Sequence, residues 1–517
     1  MKYSIPLKNK EFILVPSLGK LAEIAEANQA RLKDLEIKGL PFSRLRDDLR
    51  REVIEKDRSA NNKEVIVGTG HQPILYHPGI FFKEMVINAL LEKHGYLGIN
   101  LVIDTDAFNH HQATFWPDFQ EKRLSWEEMR FPQVKKDLAF EEMPLPHQEE
   151  LKQWFSQLKE KCSKIFPKEN LLTLSLYEED TYRASLASHN LGQLVTFSKR
   201  KFEERLNFKH QEVFLSSLSE TLTFAYFFAL ILSLGREFGL TYNKLLENYR
   251  QEKKISHRLT PFPNLKISSD LIELPFWIWR VKEPRSSLFL KFHGQKAFLG
   301  TLNKEILEIN YTFLKLKKIE SLVKINRELK DKGYKLRPKA LMITLFMRLF
   351  FCDLWIHGVG GAGYEEINDR LSEEIFSVSL PPYGVASATL YLNFNLPLVT
   401  NQEVKELQDN LRKMKFNSQE FVDLSIAGVK RLVKEKESLL NNLDQVKEKK
   451  KRTHLYQKLS LINEELRSLI ASQIKDLEGT IMIKERLLKD KLMAENRRFP
   501  FFLVPLEELR SLYRGLF

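Results

Sequence analysis

The stretch Glu64–Gly95, EVIVGTGHQPILYHPGIFFKEMVINALLEKHG, constrains the fold more than any other. A β-branched run (Val65, Ile66, Val67) enters a glycine-bearing turn (Gly68, Gly70). A polar loop with His71, Gln72, His77 and Gly79 follows, and then an amphipathic helix with apolar rows at Phe82, Val86, Leu90 and at Met85, Ala89. Strand, loop and helix in this order place the loop at a strand's carboxyl end, where open α/β sheets bind their ligands. A second strand, Ile99–Ile103, completes a βαβ unit, which is almost always parallel. Asp104 and Asp106 stand at its end, two residues apart, and would share a face in an extended chain.

With 517 residues the chain can hold two to four structural units around a large core. Phe is frequent, 36 in all, and its paired occurrences (Phe81–Phe82, Phe227–Phe228, Phe350–Phe351) read as core filling. Two cysteines, Cys162 and Cys352, leave no basis for a disulfide framework. The opening residues lack a signal-peptide apolar core, and the apolar run at Phe224–Gly235 is too short to span a bilayer. A reduced cytoplasmic protein with no membrane partner is expected. The net charge of +13 is partly concentrated at Lys447–Arg452 (KEKKKR). Without a zinc finger, an RNA-binding strand motif or interleaved aromatic and basic residues, nucleic acid is not the expected partner.

Residues 121 to about 260 are mostly charged helical sequence with one strongly apolar helix, Leu215–Leu234. LPFWIWRV (Leu274–Val281) and SLFLKFHGQKAFLGTL (Ser287–Leu302) read as strands or a hairpin. The α/β pattern resumes with a helix at Lys339–Phe351, a strand at Asp353–His357, a glycine loop running into a helix, and a strand at Val385–Leu392. From about Glu403, Val422, Ile426, Val429, Val433, Leu440 and Leu443 step by four and three, with Lys436 in the seam. Leu455, Leu459, Ile462, Leu466 and Leu469 repeat the pattern after the basic break, and a neighbouring row runs on to Ile481. This spacing reads as an antiparallel coiled-coil hairpin able to dimerise, and the tail after Pro500 packs back on the core.

The expected fold class is thus α/β, a parallel-sheet core with a large, mainly helical insertion and a C-terminal coiled coil. The expected boundaries are 1–120 and 331–402 for the two parts of the core, 121–330 for the insertion, 403–498 for the arm and 499–517 for the tail.

Gly358, Gly360 and Gly363 carry the G-x-G-x-x-G spacing after a strand and before a helix. The next strand ends in Asn393 and Asn395 with no carboxylate for ribose hydroxyls, so a dinucleotide is not expected; a phosphate, carboxylate or adenosine fits the loop. His71, His77, Asp104, Asp106, His110 and His111 fall in two loops that should lie side by side. Adjacent His110 and His111 point apart on any regular element and no tight two-His spacing exists, so no metal is expected. Phosphate-loop, nucleophile-elbow and zincin motifs are absent.

GHQPILYHPGIFFK, with Gly70, Gln72, Leu75, Pro78 and Lys83, resembles the first loop of the bacillithiol-biosynthesis cysteine-adding enzymes. Asp104, Asp106, Asn109 and His110 stand where that family has its second motif, and Gly360–Ile367 with Pro381–Leu392 where it has its late one. The order of elements is similar over nearly the whole chain, while matched residues are confined to these loops. The resemblance implies a Rossmann-like core, a dimerising coiled coil and ligase chemistry joining an amino acid, cysteine, to a small carboxylate-bearing acceptor. An adenine nucleotide enters as cofactor only by that analogy. In this scheme His71, His77 and Asp104 are catalytic. Gly70, Gln72, Gly79, Lys83, Asp106, Asn109, His110, Gly358, Gly360, Gly361, Gly363 and Tyr364 bind substrate. The alternative is a non-catalytic dimeric coiled-coil scaffold whose core senses a metabolite or nucleotide.

Overall fold

The computed structural model describes residues 3–54, 64–108, 115–120, 123–128, 130–135, 137–257, 260–394 and 399–517. Its strands, in chain order, are β1 (Phe12–Val15), β2 (Ile66–His71), β3 (Leu97–Val102), β4 (Phe115–Gln120), β5 (Arg123–Glu128), β6 (Gln211–Phe214), β7 (Leu271–Arg280), β8 (Ser286–His293), β9 (Lys296–Thr301), β10 (Lys304–Ile309), β11 (Tyr334–Pro338), β12 (Leu354–His357) and β13 (Gly384–Ala388). The fold is mixed α/β. The chain divides into one unit of Met1–Asp118, Trp126–Leu392 and Arg497–Phe517, and a second of Phe119–Ser125 and Asn393–Asn496.

The first unit is built on a six-stranded sheet of order β1-β13-β12-β2-β3-β6. All its neighbours run parallel except edge strand β1, which pairs antiparallel with β13. Every residue of β3 is buried, as a strand covered on both faces must be. From β2 the chain proceeds on one side to β3 and β6 and later returns on the other side with β12 and β13, so the strand order reverses between β2 and β12.

β2 departs from expectation, because Gly68 and Gly70 lie within the strand and form no turn. A Cβ at 68 would stand 2.5 Å from Cys352 Sγ, and one at 70 would stand 2.9 Å from the Leu101 carbonyl. Close packing at the sheet's centre, then, is what excludes side chains here. The helix Pro78–His94 is capped by His77 and stopped by Gly95 in the left-handed region (φ 71). Instead of being amphipathic it is buried almost all round from Pro78 to Leu90. The C-terminal tail supplies part of that cover: Phe501 stacks on Phe81 at 4.8 Å, and its N–H donates to the Tyr76 carbonyl.

The stretch read as a helical insertion contributes β6 to the main sheet, paired parallel with β3. A four-residue strand with the sequence QEVF leaves no periodic signal. The apolar helix begins later and runs further than expected, Leu222–Glu252, and is broken at Gly235 (φ 38, ψ −104). It is long and apolar enough to cross a membrane by composition, but 78% of its apolar window is buried inside the protein. Phe224, Phe227 and Phe228 pack edge-on against Phe276 of the second sheet. That sheet is antiparallel, of order β10-β9-β8-β7-β11, and absorbs the Trp277–Trp279 alternation as predicted.

Among its described residues, the second unit has the α-helices Asn401–Phe416, Ala427–Gln445, Lys449–Leu469 and Ala471–Ala494. Val429, Val433 and Leu439 pack on Ile462 and Leu466 across the antiparallel middle pair. Met414 packs on Ile470 and Ile474, with Lys415–Glu478 and Lys484–Glu403 ion pairs alongside. Lys436 is buried in the seam, its Nζ bonded to the Phe416 carbonyl at 2.9 Å. The uninterrupted second arm expected from the spacing is split at Ile470, whose ψ of 18 leaves the helix.

Candidate functional site

The carboxyl ends of β2, β3 and β12 open into a cavity of about 750 Å³, closed on its other side by β7, β8 and the residues after β11. Gly70, His71, Gln72, His77, Gly79, Lys83, Asp106, Gly358, Gly360, Gly361 and Tyr364 all line it. The two glycine- and histidine-bearing loops, some 290 residues apart, are thereby brought together, because β2 and β12 are neighbours in the sheet. Asn109, His110 and His111 lie outside the described residues.

Two predicted residues, Asp104 and Gly363, lie outside the lining, and a third, His77, lines the cavity in a different role. Asp104 turns away from the cavity because the chain bends at residues 104–106 and does not stay extended. Its carboxylate accepts the Ser216 N–H at 2.9 Å and hydroxyl at 2.5 Å, and burial together with Glu141 pushes it up to about 7. Gly363 is not in the lining, and its carbonyl accepts the Tyr249 hydroxyl at 2.8 Å. His77 lines the cavity with both ring nitrogens engaged: Nδ1 accepts the Gly79 N–H at 2.9 Å, and Nε2–H donates to the Leu390 carbonyl at 3.1 Å. Burial, with Arg497 nearby, drops His77 to about 3, so it serves as a neutral helix cap.

That cap also closes the anion site expected at the helix N-terminus. Pro78 has no N–H, Gly79 donates to the His77 ring and Ile80 to the His77 carbonyl. The glycine segment is likewise a helical turn, Val359–Ala362, and no open loop.

The remaining predicted groups converge on the cavity. His71 Nδ1 contacts the Gln72 carbonyl at 3.1 Å, which assigns it the proton, and burial together with Lys83 lowers the ring to about 3. Lys83 donates to the Gly70 carbonyl at 2.7 Å, and burial brings its amine down to about 8. Asp106 accepts from Gln72 Nε2 and the Ala107 N–H, and pairs with Arg285 at 2.9 Å.

Sequence reasoning missed the opposite wall. Trp277 carries Arg285 at 4.9 Å and Lys339 at 4.5 Å from its ring centroid. Lys339 also holds Glu273 at 2.6 Å and the Ser287 hydroxyl at 2.9 Å. The tryptophan alternation marked the strand, but the cations lie outside it, at residues 285 and 339. His357, at the end of β12, and Glu365, opening the next helix, were also passed over; only the glycines between them carried a motif.

Glu84, Glu203, His210 and Glu212 form the one group among the described residues with atoms close enough to share a metal ion. The Lys199 ammonium already fills that role, bonded to the three carboxylates at 2.5, 2.9 and 2.8 Å. The described cavity therefore offers charge-paired walls, a lysine without a carboxylate partner and neutral imidazoles, a set suited to binding a charged metabolite and moving protons. Set against models of protein families and against curated proteins, the sequence matches none.

Proposed function

We propose that the protein is a ligase-type enzyme whose Rossmann-like first unit joins an amino acid to a small carboxylate-bearing acceptor in this cavity. The observation that carries the reading is the cavity's position at the point where the strand order reverses. Taken from β6, the parallel strands run third, second, first, fourth, fifth in chain order, which is the doubly wound order, and such sheets bind ligands at their reversal. The wall chemistry supports an amino-acid substrate: Arg285 and Lys339 can take a carboxylate while Asp106 and Glu273, their partners, can take an ammonium. Lys83 and the glycine turn Gly358–Gly361 are assigned to the acceptor's anionic groups, and His71 to stabilising charge beside them. Cysteine as the amino acid and an adenine nucleotide as the activating group follow from the resemblance, as does a homodimer formed through a coiled coil in the second unit.

The test is direct. Full-length protein is incubated with cysteine, a sugar–malate acceptor and ATP, and products are weighed by mass spectrometry. A product lighter by one water than the sum of amino acid and acceptor is expected, and His71→Ala should abolish it without loss of thermal stability. No product, together with no calorimetric binding of any of the three compounds, would overturn the reading in favour of a scaffold.

A further inference from the structure

We propose that His357 and Glu365 form the proton-accepting centre of the cavity, with His357 Nδ1 as the base and Glu365 as the positioning residue behind it. This deepens the ligase reading and rests on it. His357 is 5% exposed, and no hydrogen bond reaches its Nε2, which lies 3.5 Å from Glu365 Oε1. Such distances commonly shorten only when substrate is bound.

Glu365 is held ready from its other sides. Thr344 Oγ1 donates to Oε1 at 2.6 Å and Arg348 Nη1 to Oε2 at 2.5 Å, while Asn368 braces Thr344 at 2.8 Å. A carboxylate fixed in this way orients the imidazole with Nε2 protonated and leaves Nδ1 bare, the logic of a base and its orienting acid. Nδ1 lies toward Gly361, where a Cβ would stand 3.1 Å away. Glycine at 361 therefore keeps the basic nitrogen open to the cavity that Gly361 and His357 both line.

The electrostatics agree with the geometry. Burial would hold the Glu365 carboxyl up, but His357 and Arg348 bring it down to about 2, so it is ionised. Burial lowers His357 against the pull of Glu365, with Arg348 and Lys83 also opposing its charge, so the ring rests neutral. The other two cavity histidines are less suited, since His77 has both nitrogens engaged and His71 has a neutral carbonyl behind its Nδ1, with no carboxylate among the described residues to offset an imidazolium charge.

In the step, the nucleophilic amine attacks an acyl carbon activated as an acyl phosphate or acyl adenylate. The nitrogen's electron pair forms the new bond, its proton passes to Nδ1, and the phosphate or nucleotide leaves with the carbon–oxygen pair. Glu365 offsets the imidazolium charge until the proton is returned to solvent.

Two measurements on the full chain decide this. Nitrogen-15 histidine spectra, with His357 assigned by its loss in His357→Gln, should show Nδ1 unprotonated and Nε2 protonated at neutral pH. Glu365→Gln should shift that resonance pair, and Gly361→Ala should perturb Nδ1. A protonated Nδ1, or a spectrum indifferent to Glu365→Gln, overturns the proposal. In the joining assay His357→Gln should lower kcat roughly 10²–10⁴-fold with little change in KM. Glu365→Gln should move the acid limb of the kcat profile to lower pH. Full activity in His357→Gln would sink the catalytic role. If Glu365→Gln fails to fold, Gly361→Ala and His357→Gln carry the test. Absence of product from the unaltered protein counts against the ligase reading alone, and the nitrogen spectra still judge the dyad.

Discussion

The helix Pro78–His94 separates two buried charged regions that are built on opposite plans. Lys83 faces the cavity, and Glu84, the next residue, faces the cluster of Lys199, Glu203, His210 and Glu212. In the cluster the Lys199 and Glu84 valences are closed among its own members, while His210 Nε2 and Glu203 Oε2 face each other without a hydrogen bond. Lys199 spends its three N–H groups on three carboxylates, Tyr76 donates to Glu84, and Asn88 donates to His210 Nδ1 at 2.6 Å. Its Nε2 is turned toward Glu203 Oε2, 3.2 Å away, and the Glu203 and Glu212 carboxylates raise the ring to about 9 against the cost of burial. Around the cavity the groups are anchored on one side and left open on the other: Lys83 to a backbone carbonyl, His71 by one nitrogen, His357 beside Glu365. Burial alone does not mark a functional charge. The difference lies in whether the surroundings complete its bonding.

The largest effect should come from breaking the closed region. Lys199→Met leaves three carboxylates buried without their cation, and removing one partner of a buried ion pair costs about 3–5 kcal/mol. Denaturant unfolding should show that loss. A variant with stability near the unaltered protein would mean that the cluster is wetter and looser than its hydrogen bonds indicate, and the contrast would collapse.

The second test uses pH. His77 has its pKa depressed from the usual 6.5 to about 3, so it contributes stability above pH 6.5 that drains away as pH falls toward 3. Glu203 and Glu212 are also depressed, but from a carboxylate range near 4.5, so their contribution is lost only below that value. Between pH 6.5 and 4.5 the decline therefore comes from the depressed cavity histidines, His77 with His71 and His357, roughly 2 kcal/mol for a buried histidine over that interval, offset in part by Glu84, whose carboxyl burial raises to about 8. His77→Asn preserves an N-cap and should reduce the slope in that window by the share of one histidine, leaving the contribution of His71 and His357 and the fall below pH 4.5 in place. An unchanged slope would show that the ring is protonated without strain.

Much of this arrangement was legible because it is local. The strand–loop–helix at Glu64–Gly95, the Trp277–Trp279 strand and the returning tail each carry their pattern within a few residues, and the structure has all three. What escaped depends on partners distant in the chain. β6 is too short to show a period and is a strand only because β3 offers it a parallel edge. Gly68 and Gly70 look like turn residues until Cys352 and Leu101 are seen against them. Asp104 and Asp106 look alike in sequence, and only Ser216 on one side and Arg285 on the other separate their roles. The His357–Glu365 pair was hidden because the glycines between them drew the motif reading, while the pairing itself needs the helical turn Val359–Ala362.

On the open side, stability and binding should come apart. Lys83→Met removes one hydrogen bond to the Gly70 carbonyl and relieves the cost of burying an amine, so stability should change by about 1 kcal/mol or less. Calorimetric binding of a carboxylate-bearing acceptor should fall at least tenfold, the reverse of the Lys199→Met outcome. Equal destabilisation by the two substitutions would erase the distinction between the regions.

The smallest change sharpens the comparison within the cavity itself. Nothing lies within 4 Å of where a Cβ at Gly360 would stand, whereas at Gly361 it would meet His357 Nδ1. Gly360 sits in a helical turn at an ordinary backbone conformation, so alanine there is sterically free and loses less entropy on folding. Gly360→Ala should therefore alter stability by no more than about 0.5 kcal/mol in either direction and leave the His357 nitrogen spectrum unchanged. If it disturbs His357 as Gly361→Ala does, the turn moves as one body, and the open face of the imidazole depends on the whole Gly358–Gly361 segment and not on the single missing side chain at 361.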